Sequence, residues 1–401
     1  MKIGLVTDFY YPWIGGPATV VRSLGQGLLA LGHEVALLAP SPHKSRHLES
    51  DGDLWITRAA TMPVPFGYGV RVASHPFRDA REWLDRVQPD VVHFHHPFPL
   101  SAAAARLARG RGLAVVATNH TVPECSLWGI RDTGLLYRIG ASALARWLLH
   151  VLSYADSVAT PTVTAAERLR ELGHGRPIQA ISNGVDTTRF APGTRNRGLR
   201  RRLRLDDRPV VLYTGRLDAE KQMDVWLRAA AAVTQQLDAQ FVVGGRGKEE
   251  DRLARLASTL HLDSHLTFIG YLADADFADL YRLADVYFIT SPVELQSIGT
   301  LEAVASGLPV VAVQAGALPE LVHDGENGFL VPAGDAERAA TALLHIVRNP
   351  DLRRAQGERS RNVGLGHDLL RSVQTYERWI SEAPQLRSGR LPVERIPASE
   401  P

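Results

Sequence analysis

The sequence predicts an α/β protein made of two doubly wound, mostly parallel sheets in series. Three observations lead there. Short β-rich apolar runs alternate with helical stretches. The alternation halts near residue 190 and restarts near 209. With 401 residues, the chain is long enough for two domains that each close a core.

The first series of runs is IGLVT (3–7), VALLA (35–39), DVVHF (90–94) and LAVVA (113–117), with helical stretches at 18–32 and 101–109 between them. These runs are almost wholly apolar instead of alternating, the mark of strands covered on both faces. The second series is PVVLY (209–213), QFVV (240–243), LTFI (266–269), VYFI (286–289) and PVVAV (309–313). Between the two lies SNGVDTTRFAPGTRNRGLRRRLRL (182–205), rich in Asn, Gly, Pro and Arg, which reads as a boundary with a hinge near 186–200 followed by a basic helix. The expected organisation is an N-terminal Rossmann-like domain over 1–190 and a C-terminal one over 191–367. A closing helix over 368–384 carries Leu369, Leu370, Val373, Tyr376 and Ile380 at helical spacing, and 385–401 reads as a disordered tail.

Composition narrows the function. Charged residues are 22% and the formal net charge is +2, so nucleic acid is not an expected partner. The Arg200, Arg201 and Arg202 cluster reads as a solvated basic face. Cys125 is the single cysteine, which excludes an intrachain disulfide and a cysteine-based zinc cluster and suits a reducing cytoplasm. The opening MKIGLVTDFYYP offers neither a signal-peptide core nor the roughly 20 apolar residues of a membrane span. A soluble or peripheral protein is expected.

Ligands of open α/β sheets bind beyond the carboxyl ends of the strands, and the distinctive motifs fall there. After the first run comes DFYYPWIGGP (8–17), where Gly15 and Gly16 precede a helix whose free N–H groups favour an anion. A Gly-Gly pair serves equally as a tight turn needing positive φ. After PVVLY comes TGRLDAEK (214–221), which brings Arg216 and Lys221 to one loop: a fork of donors and a mobile point charge, together suited to a diphosphate. After VYFI comes ELQSIGTLE (294–302), with Glu294 placed at a strand end and Glu302 about two residues into the next helix. Loop amides from Gln296 to Thr300 and two carboxylates then converge on one ligand, the carboxylates accepting from vicinal hydroxyls. Asp274-Ala275-Asp276 resembles a metal-binding DxD but precedes a helical pattern, so an aspartate capping that helix is the expectation and no metal is required.

Taken together, the GG loop, NGVD (183–186), GRLDAEK (215–221) and E-x7-E followed by ASGLPVV (305–311) resemble the retaining family 4 glycosyltransferases, glycosyl transferases group 1, over residues 1 to about 382. The resemblance implies a GT-B fold, two Rossmann-like domains facing across a cleft, and a nucleoside diphosphate sugar as donor, with UDP-hexose favoured over GDP-mannose. It implies that Glu294 and the amides of Gln296, Ser297, Ile298, Gly299 and Thr300 hold the transferred sugar and that Glu302 holds the ribose. Arg216 and Lys221 would neutralise the leaving diphosphate, and Gly15 and Gly16 would border the donor. It also selects His120, in ATNHTVPE (117–124), as a catalytic residue; spacing alone leaves His95 and His96 as equal competitors among fifteen histidines. No protein nucleophile, metal or cofactor is implied, because the donor's own phosphate takes the acceptor proton.

The chain departs from the family at Gln296-Ser297, where Phe-Gly is common. Ser297 narrows the backbone there and Gln296 adds an amide within reach of sugar hydroxyls. That Gln, the HTVPE run and PVPFGYGVRVASHP (63–76) are similar to the branch that glycosylates diacylglycerol and related lipids. Residues 133–152 (TGLLYRIGASALARWLLHVL) carry Leu136, Ile139, Leu144, Trp147, Leu148 and Val151 with Arg138 and Arg146, compatible with a helix on an anionic membrane face and equally with one covering the sheet. Base contacts are expected from 244–248 and Tyr271. A soluble small-molecule acceptor, or a non-catalytic sugar-nucleotide-binding protein, are the competing readings.

Overall fold

The computed structural model describes residues 1–13, 15–64, 71–123 and 134–387. Glu124 and Cys125, the centre of the 63–76 run and the tail from 388 lie outside the described residues. The chain divides into two compact units, Met1–Asn183 with the segment from Leu370 onward, and Gly184–Leu369.

In the N-terminal unit the elements are β1 (Lys2–Val6), α1 (Gly16–Ala30), β2 (Glu34–Pro40), β3 (His47–Asp51), β4 (Leu54–Ala59), β5 (Thr61–Pro63), β6 (Arg71–Ala73), α2 (Pro76–Val87), β7 (Val91–Phe94), α3 (Pro99–Gly110), β8 (Ala114–Thr118), α4 (Leu135–Leu152), β9 (Ser157–Thr160), α5 (Val163–Glu171) and β10 (Ile178–Ala180). Eight strands form one sheet in the order β10-β9-β8-β7-β1-β2-β4-β3, parallel except for the antiparallel β3–β4 pair. The chain reverses its direction of growth between β1 and β7, so the loops after these two strands open a crevice at the switch point. β7 and β8 are buried at every position, His93 and Thr118 included.

The second unit contains α6 (Arg197–Arg202), β11 (Val210–Thr214), α7 (Met223–Thr234), β12 (Gln240–Gly244), α8 (Glu250–Thr259), β13 (Leu266–Gly270), α9 (Asp274–Leu283), β14 (Val286–Ile289), α10 (Ile298–Ala305), β15 (Val310–Val313), β16 (Gly328–Val331), α11 (Ala336–Arg348) and α12 (Pro350–Gly366). Its six strands are all parallel, ordered β13-β12-β11-β14-β15-β16, with the switch point between β11 and β14. Trp226 of α7 is fully buried on this sheet between Phe241 and Phe288, and its indole N–H donates to the Phe288 carbonyl. α13 (Leu369–Arg387) returns to the N-terminal unit, where Val373, Tyr376, Trp379, Ile380 and Ala383 are buried. Its Trp379 indole donates to Ser157 at 2.9 Å, and Tyr376 to the Ile181 carbonyl.

Several expectations need correction. The helix from Leu369 passes through Pro384 to Arg387, so 385–387 are not tail. Asp274 and Asp276 do not cap α9: Ala273 holds the cap position with no side-chain bond, and the aspartates pair with Arg189 and Arg202. Glu294 is not at a strand end but five residues beyond Ile289, and Glu302 is the fifth residue of α10. Neither Gly15 nor Gly16 has positive φ in the left-handed region; Gly15 is extended, and a Cβ there would stand 2.5 Å from the Trp13 ring. The glycine makes room for that indole.

Candidate active site

In the second unit, strand order does the assembling. Because β11 and β14 are neighbours at the switch point, the loop after Thr214 and the loop after Ile289 leave the sheet side by side. Gly215 carries φ 153°, and its amide donates to the Gly244 carbonyl; a Cβ on Gly245 would collide with the Gly215 carbonyl oxygen. Only glycines permit this approach, and it ties the expected base-contact loop, 244–248, to the cationic one through Leu217 N–H donating to Arg246 O.

The two cations come to this place already paired. Lys221 Nζ lies 2.7 Å from Glu294 Oε1, with both side chains largely buried. Burial pushes the Glu294 carboxyl up, but the Lys221 ammonium outweighs it, helped by Ser291 and Arg216, and holds the group below the ordinary carboxylate range. The Arg216 guanidinium is gripped by Asp218 and, at 2.6 Å, by Glu220. Sequence reasoning passed over these two acids, which follow Arg216 by two and four residues in the same loop and short 3-10 turn.

Ser297, expected to narrow the backbone, is the N-cap of α10: its hydroxyl accepts from Thr300 N–H at 3.2 Å and from the Thr300 hydroxyl at 2.9 Å. Gln296 is buried just before it. Gly299 has its own reason, since a Cβ there would collide with Tyr287 Oη and stand 2.8 Å from Thr214 Oγ1. That approach lets the N-terminus of α10, with Ile298 and Thr300, abut the end of β11. Glu302 is buried in the second turn of α10, where Oε2 accepts from the Tyr281 hydroxyl at 2.5 Å. Burial raises its carboxyl to about 7, against the lowering effect of Tyr281. Nothing in the sequence pattern pointed to Tyr281, which lies on a different helix. Tyr271 is half exposed beside these loops, its hydroxyl raised by burial.

In the N-terminal unit, β7, the loop after it and the loop after β8 bring four histidines together. The His95 and His120 rings stack with Nδ1 and Nε2 3.2 Å apart, His93 lies 4.1 Å from His95 by ring centroid, and His96 lies 5.6 Å from His120. The three candidates are therefore one cluster, and burial keeps it neutral: His120 is lowered to about 4, His93 to about 3, and His95 and His96 well below their ordinary value. Asp8, unremarked as a site residue, is buried in the next loop and accepts from Leu100 N–H (2.9 Å) and Ser101 N–H (3.2 Å) in the first turns of α3. Burial raises it to about 6 despite those bonds. Beside it opens a cavity of about 240 Å³ lined by Asp8, Tyr10, Trp13, Ser41, Pro42 and Arg71 among others.

On α4, Leu148, Val151 and Leu152 are buried, whereas Ile139 and Trp147 are half exposed on a face that also carries Arg138 and Arg146. No helix among the described residues is long and apolar enough to cross a membrane.

Comparison with known proteins agrees with this architecture. Residues 14–189 match the Glycosyltransferase Family 4 description and residues 197–363 match Glycosyl transferases group 1. A GDP-mannose-dependent alpha-mannosyltransferase of Mycobacterium tuberculosis is 30% identical over 354 residues, 86% of this chain and 88% of that protein. The phosphatidyl-myo-inositol mannosyltransferase of Mycolicibacterium smegmatis is 32% identical over 88% of this chain and 86% of its own. The alpha-monoglucosyldiacylglycerol synthase of Streptococcus pneumoniae is 28% identical over 88% of this chain and 80% of its own. The solved sucrose-phosphate synthase of Thermosynechococcus elongatus superposes with a TM-score of 0.79 over 95% of this chain and 98% of that one, at 21% identity. Two doubly wound sheets, a match to the family in each half and relatives sharing nearly a third of the residues over most of the length lead to one conclusion: the chain belongs to the family 4 glycosyltransferases and has the GT-B fold.

Proposed function

We propose that the protein transfers a hexosyl group, with retention of configuration, from a nucleoside diphosphate sugar to a hydroxyl of a lipid acceptor. The observation that carries this is the meeting of Arg216, Lys221 and Glu294 at the β11–β14 switch point. The donor's diphosphate takes Arg216 and Lys221 from their carboxylates, and the released Glu294 accepts from the hydroxyls of the sugar. Each ion of the buried Lys221–Glu294 pair thus exchanges one partner for another, which avoids leaving a charge uncompensated. As the glycosidic bond breaks, negative charge grows on the departing diphosphate, where fixed cations and the amides of Ser297 to Thr300 lower the barrier most. The phosphate accepts the acceptor's proton on the same face, and no metal is needed. Glu302 holds the ribose, and His120 acts in the role that the resemblance gives it.

The lipid reading draws on the relatives, which include enzymes named for phosphatidyl-myo-inositol and for monoglucosyldiacylglycerol. Relatives are divided between GDP-mannose and glucosyl products, so GDP-mannose and UDP-glucose are the first donors to try. The acceptor head group enters the N-terminal unit at the Asp8 cavity, whose Tyr10 and Trp13 rings and Arg71 suit a polyhydroxylated, phosphate-bearing ligand. The exposed Arg138, Ile139, Arg146 and Trp147 of α4 dock on anionic lipid.

The test is a thermal-shift panel of GDP, UDP, ADP and their sugar conjugates, with EDTA or magnesium, on the wild type and Arg216→Ala, followed by transfer to lipid vesicles with and without anionic lipid. A metal-independent shift with one nucleotide, lost in the variant, and donor turnover that requires lipid are expected. Binding without turnover would leave a sugar-nucleotide-binding protein, and turnover on soluble acceptors alone would remove the lipid.

A further inference from the structure

Glu302 does not stand alone. Its Oε2 accepts from the Tyr281 hydroxyl on α9, and that hydroxyl lies 2.6 Å from Thr214 Oγ1 at the end of β11. The Tyr287 hydroxyl in turn donates to the Thr214 carbonyl at 3.1 Å. Three elements from different parts of the unit therefore meet on one threonine. The Tyr281 ring has no freedom to move its hydroxyl: it is fully buried, with Phe190 at 5.5 Å and Phe277 at 5.7 Å edge-on and Tyr287 stacked at 6.2 Å. Among the described residues Glu302 Oε1 makes no hydrogen bond, so the tyrosine occupies one carboxylate oxygen and leaves the other for a ligand.

We propose that Tyr281 is a positioning residue for the nucleotide: by holding Glu302 Oε2 it aims Oε1 at the vicinal hydroxyls of the donor's ribose and stabilises the ionised carboxylate that accepts from them. This rests on the reading that Glu302 receives the ribose. The charge balance around the carboxylate supports it. Burial favours the neutral acid, and the Tyr281 hydroxyl and the Arg189 guanidinium oppose burial, while Asp274 adds to it. Of the remaining polar groups of the cluster, Thr214 bonds the Tyr281 hydroxyl, whereas the Tyr287 hydroxyl bonds only Thr214, and neither carries charge in the neutral range. Deleting one phenolic oxygen removes both the aim and a large part of the stabilisation of the anion.

The experiment is calorimetric titration of wild type and Tyr281→Phe with GDP and UDP and with their 2′,3′-dideoxy counterparts between pH 6 and 9. For the nucleotide that binds, the wild type should prefer the ribose form by about tenfold or more, the worth of a hydrogen bond to a charged group. In Tyr281→Phe that preference should fall to less than about threefold at pH 7 and return in part at higher pH, its acid limb moved upward by about one pH unit as the carboxyl loses its donor. Binding of the dideoxy form should be unchanged, which a merely structural defect would not allow. Tyr287→Phe, which removes a hydroxyl from the same cluster without touching Glu302, should keep the wild-type preference. If Tyr281→Phe folds poorly, Thr214→Val strips the tyrosine hydroxyl of its other partner and should lower the ribose preference alone. Retention of the full preference and of the acid limb in Tyr281→Phe, or in Thr214→Val where that replaces it, overturns the proposal. A wild type that binds ribose and dideoxy forms equally overturns the ribose reading of Glu302 itself.

Discussion

Replacing Glu302 by Gln should stabilise the free protein at alkaline pH while weakening its hold on nucleotide. The carboxyl titrates at about 7 in the folded chain against an ordinary 4.5, because burial outweighs the Tyr281 hydrogen bond. With the folded value raised, the native state keeps a proton that the unfolded chain releases, so stability declines as pH rises from 4.5 to 7. Integrating between about pH 5 and pH 8.5 gives a loss of about 2.5 kcal/mol for this one group, since each pH unit over which the two states differ by one proton is worth about 1.36 kcal/mol. Gln is isosteric, accepts from Tyr281 through its amide oxygen and does not titrate. The stability of the variant relative to wild type should therefore grow by about 2.5 kcal/mol over that interval, which for a unit of this size moves the midpoint by about 5–10 °C. Scanning calorimetry of both proteins in matched buffers reads the difference directly, since all other titrating groups cancel. A difference that stays flat across pH would refute the claim that Glu302 is buried at a cost in its ionised form. The same variant should lose nucleotide affinity at about pH 8.5, where the wild-type carboxylate is ionised, and differ least at about pH 5.5.

Lys221→Met leaves Glu294 without its ammonium: the free protein should lose about 3 kcal/mol, seen as a lower calorimetric midpoint. The Glu294 carboxyl, no longer held down, should titrate higher by carboxyl NMR. Gly299→Ala drives a methyl against Tyr287 Oη and Thr214 Oγ1 and should cost about 1–3 kcal/mol through overpacking, with donor affinity falling as α10 is pushed from β11; an unchanged midpoint would contradict the close approach. His120→Gln should lower kcat without displacing any limb of the pH profile between about 5.5 and 8, because burial already keeps His120 neutral down to about 4; a limb that vanishes in the variant would show that His120 titrates in the working range.

What was legible in the fold follows from burial. The nine strands expected from apolar runs lie within a residue or two of β1, β2, β7, β8, β11, β12, β13, β14 and β15, all interior to their sheets except the edge strand β13, and all runs whose apolar content has no helical period. The strands that escaped notice lack that signature. β3 reads HLESD and forms an edge, with a single apolar residue, Leu48, that is itself exposed. β9, β10 and β16 are three or four residues long, too short to show a period. Helix ends were less secure, as α13 shows: 385–401 reads as tail, but Ala383 is buried in the N-terminal unit and the helix continues to Arg387.

For the site, the sequence held the residues but not their adjacency. Arg216 and Glu294 are separated by a strand, a helix and more, and nothing local says that their loops leave neighbouring strands; the β11–β14 pairing decides it, and that pairing is a property of the whole sheet. The positive-φ reading of the Gly15–Gly16 pair does not hold, and close packing explains two of the glycines. Gly15 makes space for Trp13 and Gly299 for Tyr287, neither needing positive φ, whereas Gly215 and Gly245 do adopt it and bring two loop backbones into contact. The acids were the hardest to foresee. A basic motif beside an anion site suggests free cations, yet a free ammonium as buried as that of Lys221 would be expensive, and the chain supplies Glu294 for it from the next loop, and Asp218 and Glu220 for the more exposed Arg216 from the same loop. The charges proposed above to recognise a diphosphate are thus each matched by a carboxylate, and on that proposal binding is an exchange of partners.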